Sequence, residues 1–288
     1  MGLLARLAPE RALSQAERLF LTPPRHIWPP LERPWLAQAR RQALLLQDMS
    51  LPEWNGQHLA LLRWGEARAG RVVLLHGWGG RATQLHAFIP PLLAAGFEVI
   101  GVDAPGHGLS EGRYSSLLQF VHALQQAVAA LEGPVEAVIA HSLGAAATAY
   151  AISRGLPVAR AVLIAPPVDL TAYSRVFAYH LGLPETLRAQ LQRRLEQRFG
   201  IPWAELDARR AATGNRIPAL ILHDRQDREV PHAAGAALAA HWPGARLLST
   251  EELGHRRILR HPQVVAEVMA FLRGALPARR TDLALALG

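Results

Sequence analysis

Short apolar runs that end in turn residues recur along the chain from residue 58 onward. Segments of helical length separate most of these runs. Several runs are apolar almost throughout, which is typical of parallel strands covered by helices on both faces. This alternation predicts an α/β fold with a doubly wound, mostly parallel sheet. The predicted strands are residues 58–64, 71–76, 98–103, 136–141, 160–165, 219–223 and 246–249, and the predicted helices are 83–95, 115–132, 143–154, 233–241 and 262–274.

One interval, residues 170–217, separates two predicted strands and has no strand pattern of its own. Leucines recur at four-residue spacing through its middle, with arginines between them, as in an amphipathic helix. An insertion of this length in an α/β chain is typical of a lid over a site. We therefore predict a small helical cap at residues 170–217, inserted into a core formed by residues 51–169 and 218–276.

The first fifty residues follow a different pattern. Residues 1–20 have the apolar spacing of an amphipathic helix, prolines interrupt residues 23–34, and a second helical pattern covers residues 35–47. We predict that residues 1–50 form an arm packed on the main body, with a partner-binding tail as the alternative. Residues 277–288 are predicted to be a C-terminal tail.

Composition removes several kinds of chemistry. The chain has 288 residues, half of them hydrophobic, and no cysteine. Disulfides, thiolate metal sites and a cysteine nucleophile are therefore excluded. All 31 basic residues counted as Lys or Arg are arginine, which also excludes a Schiff-base lysine and a P-loop lysine.

The formal net charge of +8 is spread along the chain, and no basic run is interleaved with aromatic residues. We therefore expect no nucleic-acid partner. The longest run of small apolar residues, 144–152, is too short to span a bilayer, and the N-terminus lacks the apolar region of a signal peptide. We expect a cytoplasmic protein. Spacings typical of metal ligands or of a dinucleotide-binding loop are missing from the sequence, so no metal or cofactor is expected.

The strongest chemical signal is the segment Ala140-His141-Ser142-Leu143-Gly144, between a predicted strand and a predicted helix of small residues. A serine on a sharp strand-to-helix turn needs small residues two positions away on each side, because the strained backbone leaves no room for larger side chains. Ala140 and Gly144 meet this requirement. The pattern predicts that Ser142 is a nucleophile beside a helix N-terminus.

A serine nucleophile needs a base and an acid that orients the base. Asp227 follows the predicted strand 219–223, and His255 lies in the loop after the strand 246–249. Catalytic groups in such sheets collect at the carboxyl ends of the strands, so these loops can meet near Ser142. Asp224 and Asp169 also follow strands and remain alternative acids.

Residues 58 to 274 or so resemble the α/β-hydrolase superfamily, in particular its serine esterases and related acyl hydrolases with a helical cap. The three candidate residues occur in the family's order of nucleophile, acid and histidine. The segment His76-Gly77-Trp78-Gly79-Gly80 is similar to the family's oxyanion loop. The resemblance implies that the backbone N–H groups of Trp78 and Leu143 bind the oxyanion that develops during the reaction.

The resemblance implies a serine hydrolase, specifically a carboxylesterase or acyl hydrolase that cleaves a small ester through an acyl-enzyme, without metal or cofactor. An aspartate in place of Ser142 would instead have indicated alkyl-enzyme chemistry. The alternative hypothesis is a hydrolase-fold protein that binds a small molecule or a partner with little turnover.

Overall fold

The computed structural model of the chain describes residues 2–47 and 54–274. Within these residues, eight strands form one sheet in the order β1-β2-β4-β3-β5-β6-β7-β8. The pairs β1–β2 and β2–β4 are antiparallel, and the remaining pairs are parallel. The predicted α/β fold with a mostly parallel sheet is confirmed. The strands are β1 Arg40–Leu45, β2 His58–Trp64, β3 Arg71–Leu75, β4 Glu98–Asp103, β5 Val135–His141, β6 Ala161–Ile164, β7 Ala219–Asp224 and β8 Ala245–Thr250.

Helices precede, connect and follow the strands. The α-helices are α1 Gly2–Leu7, α2 Pro9–Leu21, α3 Arg33–Gln38, α4 Ile89–Ala94, α5 Leu117–Ala129, α6 Leu143–Ser153, α7 Leu170–Leu181, α8 Glu185–Phe199, α9 Ala208–Thr213, α10 His232–His241, α11 Gly254–Arg257 and α12 Pro262–Leu272. Short 3₁₀ helices lie at Ala82–Phe88, Trp203–Leu206 and Ile258–Arg260.

Strand β3 illustrates how the sheet is covered on both faces. Val73 and Leu75 pack in one apolar cluster with residues of α5 and α6, whereas Val72 and Leu74 pack in a second cluster with residues of α4 and α12. Successive side chains of a strand point to opposite faces, and all four of these residues are fully buried. The sheet therefore lies between two helical layers, as the apolar strand pattern predicted.

The helix predicted at residues 35–47 is confirmed only as far as Gln38 and is wrong beyond it. Helix α3 ends at Gln38, and Arg40–Leu45 form the outermost strand, paired antiparallel with β2. Only Gln42 and Leu44 of this strand are half-buried, which is the two-residue period of a strand with one covered face. Pairing with β2 outweighs the helical preference of a segment rich in arginine, alanine and leucine.

The N-terminal helix α2 packs against α8, the longest helix of the interval between β6 and β7. Leu13 and Ala16 of α2 are buried in the same apolar cluster as the leucines of α8. Arg194 of α8 forms an ion pair with Glu10 at 2.9 Å, and Arg198 forms one with Glu17 at 3.0 Å. Both segments are therefore held to each other and to one side of the sheet.

The interval 170–217 is helical and contains α7, α8, the 3₁₀ helix Trp203–Leu206 and α9. Helix α9 packs against α6 and α10, which flank the sheet. That this interval acts as a cap, and the boundaries of the arm and core, stay predictions. The boundary at residue 50 and the tail at residues 277–288 lie outside the described residues.

Candidate active site

Ser142 occupies a strained turn between β5 and α6. Its backbone has φ 52° and ψ −123°, a conformation that residues other than glycine seldom adopt. The surroundings leave no space for larger neighbours: a Cβ on Gly77 would lie 2.7 Å from Cβ of Ser142, and a Cβ on Gly144 would lie 2.2 Å from the carbonyl oxygen of His76. Such strain persists only where the surrounding structure enforces it, and it is concentrated at functional sites.

Asp227 and His255 form a hydrogen-bonded pair. Nδ1 of His255 lies 2.7 Å from Oδ2 of Asp227, and both side chains are buried. The other carboxylate oxygen of Asp227 accepts hydrogen bonds from the backbone N–H groups of Glu229 and Val230 at 2.8 and 2.9 Å. These contacts fix the carboxylate, which in turn assigns the Nδ1–H tautomer to His255 and leaves its Nε2 able to accept a proton.

The ionised form of Asp227 is strongly favoured over the protonated form. Burial raises the pKa of this carboxyl, but the hydrogen bonds from His223 and His255 outweigh burial and hold the pKa well below its ordinary value. Nε2 of His223 lies 3.4 Å from Oδ2 of Asp227, in addition to its 2.9 Å contact with the carbonyl oxygen of Val230. Asp227 can therefore stabilise a positive charge on His255 throughout the neutral pH range.

The two alternative acids have other partners. Oδ2 of Asp224 accepts hydrogen bonds from the Thr250 hydroxyl at 2.8 Å and from the Leu253 N–H at 2.9 Å, which ties the end of β7 to the end of β8 and to the loop after β8. Asp169 caps the N-terminus of α7 by accepting a hydrogen bond from the N–H of Thr171. Geometry therefore favours Asp227 as the partner of His255.

Ser142 and His255 line the same cavity. The residue before the serine, His141, lies 2.9 Å through Nε2 from the carbonyl oxygen of His255, and the two imidazole rings are 4.6 Å apart. Among the described residues, the hydrogen bonds do not include one between Ser142 and His255. In unliganded sites such bonds are often long and shorten only when substrate binds.

The loop after β3, residues 77–80, is held from the inside by two histidines. Nδ1 of His76 contacts the carbonyl oxygen of Gly77 at 2.6 Å, while its Nε2 accepts a hydrogen bond from the N–H of Ala104. Nε2 of His107 accepts a hydrogen bond from the N–H of Gly79 at 3.1 Å. Burial lowers the pKa of His76 well below its ordinary value and that of His107 to about 4, so both rings stay neutral and able to accept these bonds.

The candidate oxyanion donors lie on either side of Ser142. Trp78 belongs to the loop at residues 77–80, and Leu143 is the first residue of α6, so its N–H has no partner within the helix. Both residues line the cavity. Donors at a helix N-terminus also carry a partial positive charge that favours an anion.

The cavity has a volume of about 480 Å³ and is mostly apolar. One part of its wall comes from the interval between β6 and β7, including Tyr173, Leu195, Phe199 and Trp203. The sequence pattern did not reveal a second part, which comes from the N-terminal region and includes Phe20 and Pro24. These residues become neighbours of the site only through tertiary packing.

Phe20 is the centre of an aromatic cluster in this wall. Its ring stacks on Trp203 at 5.8 Å between centroids and meets the rings of Phe177 and Tyr173 edge-on at 5.1 and 5.8 Å. Aromatic pairs in these arrangements add attraction beyond the area that they bury. The cluster therefore joins α2 to α7 and to the 3₁₀ helix Trp203–Leu206.

Comparison with known proteins decides the family. Residues 72–268 match the sequence model of the alpha/beta hydrolase family. The chain belongs to this family. A serine hydrolase-like protein from Danio rerio is 31% identical to this family member over 85 residues, which cover 28% of this chain and 26% of that protein. The alignment thus spans about a quarter of that relative's length.

Solved structures show the same fold. An esterase from Pyrococcus furiosus superposes on this alpha/beta hydrolase with a TM-score of 0.65 at 19% identity, covering 88% of this chain and 97% of the esterase. An esterase from Rhodococcus sp. ECU1013 gives a TM-score of 0.60 at 20% identity, covering 83% and 99%. At these identities the likeness is one of fold.

In residues 2–47 and 54–274, no three His, Asp or Glu side chains are grouped as metal ligands. Among the helices of the same ranges, none combines the length and apolar character that a bilayer crossing requires.

Proposed function

We propose that this alpha/beta hydrolase is a serine hydrolase of the carboxylesterase or acyl hydrolase type, acting on a small ester through an acyl-enzyme. The observation that carries the proposal is that Ser142, on its strained turn, faces the same cavity as a histidine already bonded to a buried carboxylate. Nucleophile, base and orienting acid are the three parts that acyl transfer by a serine requires.

The proposed reaction begins when Oγ of Ser142 attacks the acyl carbonyl and Nε2 of His255 takes the hydroxyl proton. Asp227 stabilises the imidazolium that forms. The carbonyl oxygen becomes an oxyanion, which the N–H groups of Trp78 and Leu143 bind. As the intermediate collapses, His255 gives the proton to the leaving alcohol, and the acyl group remains on Ser142.

Water completes the cycle. His255 takes a proton from a water molecule that attacks the acyl-enzyme, the same two N–H groups bind the second oxyanion, and the proton returns to Ser142 as the acid leaves. The apolar cavity wall supports the choice of an apolar acyl group, because burial of apolar surface is favourable.

The test is labelling with a fluorophosphonate probe together with hydrolysis of aryl esters of graded acyl length. Ser142→Ala should abolish labelling and lower kcat by about 10⁵-fold or more. Ser115→Ala is a matched control, since Ser115 lines the same cavity and its buried Oγ has no hydrogen-bond partner among the described residues. Labelling that persists in Ser142→Ala would refute the assignment of the nucleophile.

The alternative is a binding protein with little turnover. It predicts that the folded wild-type protein hydrolyses none of these aryl esters, and no amide or lactone assayed in the same way. Turnover that depends on Ser142 would exclude it.

A further inference from the structure

The segment between α2 and α3, residues 22–32, lies directly against the loop at residues 77–80. We call this segment the strap. Cγ of Pro24 in the strap lies 2.9 Å from the position that a Cβ on Gly79 would occupy, and Cγ of Pro23 lies 3.2 Å from the corresponding position on Gly106. Pro24 therefore packs directly against Gly79, and Gly79 has φ 66°, a second reason for glycine at this position.

A buried ion pair fastens the end of the strap to the residue that follows the loop. Nε and Nη2 of Arg81 donate to the two carboxylate oxygens of Glu32 at 2.5 and 2.8 Å. The two side chains are only 10% and 8% exposed. The hydroxyl of Thr83 donates to the same carboxylate at 2.7 Å, and the guanidinium lies 5.6 Å from the ring centroid of Trp28 in the strap.

This pair has a defined geometry. Two parallel hydrogen bonds between a planar guanidinium and a carboxylate fix both the distance and the relative orientation of the groups. Because the pair is buried, water does not replace either partner when it is lost. Arg81 directly follows Gly80, so the position of Arg81 constrains the backbone of the loop.

The loop is thus held from two sides. On the inner side His107 accepts the N–H of Gly79, and on the outer side the strap and the Glu32–Arg81 pair cover it. Within the loop, the N–H of Gly80 donates to the carbonyl oxygen of Gly77 at 3.0 Å, which closes a turn around Trp78. The direction of the Trp78 N–H depends on all of these contacts.

We propose that Glu32 is a positioning residue for the oxyanion loop. Through Arg81 it fixes the backbone around Trp78, so the N-terminal strap helps to set the geometry of the active site. This inference rests on the proposed function. An oxyanion donor stabilises the transition state more than the bound ester. A displaced donor therefore lowers kcat and leaves KM nearly unchanged.

The decisive variant is Glu32→Gln, which keeps the shape of the side chain and removes its charge. We expect kcat for an aryl ester to fall about 10- to 100-fold, because misplacement of a reacting group by about 1 Å can cost as much. We expect KM to stay within a factor of about two. Affinity for a trifluoromethyl ketone, which adds to the serine and places an oxyanion in the same hole, should fall by about the same factor as kcat.

Two further variants keep the test interpretable. Thr83→Val removes one hydrogen bond to Glu32 and keeps the ion pair, so it should lower kcat by a factor of about two to five. If Glu32→Gln does not fold, this variant tests whether Glu32 positions the loop.

Glu17→Gln is the matched control. It removes ion pairs that also hold the N-terminal region to the body, but these lie at α8 and away from the loop. Its kcat should equal that of the wild type.

A double-mutant cycle tests whether Glu32 acts through Arg81. Arg81→Met alone, and together with Glu32→Gln, should lower kcat by about the same factor as Glu32→Gln alone, since all three variants remove one connection. Multiplying losses would overturn the inference. So would a kcat of Glu32→Gln within twofold of the wild type, or an equal loss in Glu17→Gln.

Failure of this inference differs from failure of the proposed function. If the wild type hydrolyses esters and Ser142→Ala does not, retention of kcat in Glu32→Gln overturns only the role of Glu32. A wild-type protein without turnover overturns the proposed function and this inference with it.

Discussion

The region around Ser142 and the outer wall of the cavity are built in different ways. Around Ser142 the geometry comes from backbone conformation and missing side chains, with a positive φ at the serine and no space beside Gly77 or Gly144. The wall instead comes from side chains of segments far apart in the sequence: Phe20 of α2 stacks on Trp203, which follows α8. A backbone-built region cannot adjust to a new atom, whereas a side-chain wall can repack.

Beyond Ser142 itself, the largest effect should come from Asp227, the carboxylate bonded to His255. Asp227→Asn should lower kcat by about 10⁴-fold, because an amide no longer holds His255 in the tautomer that accepts a proton. Steady-state kinetics on an aryl ester measures this. The matched control is Asp169→Asn, since asparagine caps a helix as well as aspartate does. A greater loss in Asp169→Asn or Asp224→Asn would move the acid's role to that residue.

The second-largest effect is expected when one side-chain atom is added beside Ser142, where the structure leaves no space for it. Gly144→Ala places a Cβ 2.2 Å from the carbonyl oxygen of His76, and we expect it to lower the free energy of unfolding by about 3 kcal/mol. Gly214→Ala is the control, because the nearest atom to its new Cβ is 3.9 Å away and its φ is −86°. That change should be neutral or stabilising by up to about 1 kcal/mol. Urea unfolding at pH 7 compares the two, and equal values would contradict the comparison.

The third-largest effect is a change of folding stability at acidic pH. Burial lowers the pKa of His107 to about 4 and of His141 to about 3, so between those values and about 6.5 the unfolded chain binds protons that the folded protein does not. Stability is therefore lost as the pH falls through this range. Asp103 acts in the opposite direction, because burial raises its pKa to about 6 and the folded protein takes up its proton first.

His107→Gln isolates one part of this dependence. The glutamine amide oxygen can still accept the N–H of Gly79, but it does not titrate. The loss of stability between pH 7.5 and pH 5, measured by urea unfolding, should be smaller in this variant by about 2 kcal/mol. The same pH dependence in the variant and the wild type would show that His107 does not contribute.

The smallest effect should come from the side-chain wall. Phe20→Ala removes the centre of the aromatic cluster and should lower the free energy of unfolding by about 1–2 kcal/mol, less than for a fully buried phenylalanine. The widened cavity should raise kcat/KM for longer acyl chains relative to short ones by about tenfold. Leu19→Ala, at a residue 41% exposed, should change neither quantity. An unchanged chain-length profile in Phe20→Ala would remove Phe20 from the substrate pocket.

The sequence predicted best what depends on neighbouring residues. Ser142 and Gly144 lie on a turn whose requirements can be written as a five-residue pattern, and Asp227 and His255 follow from the rule that strand ends meet at one edge. Ser142 and His255 indeed line one cavity, and Asp227 is hydrogen-bonded to His255. Their chemical roles stay proposals that the kinetic experiments test.

The same patterns could not predict β1 or the strap. Residues 40–45 have a helical composition and become a strand only because β2 offers a partner for pairing. Glu32 and Arg81 meet across 49 positions of sequence, and the residues beside them form no pattern that predicts the contact. Both features are decided by tertiary packing, on which local preferences carry little information.

The long separation between the two halves of the cavity wall also matters during synthesis. Helix α2 leaves the ribosome about 10–40 s before α8, at the usual rate of about 5–20 residues per second. Throughout this interval Leu13 and Ala16 have not yet met the leucines that bury them. Each nascent chain therefore exposes the apolar face of α2 before α8 has been synthesised. This is the stage at which binding by a chaperone would protect the chain most from aggregation.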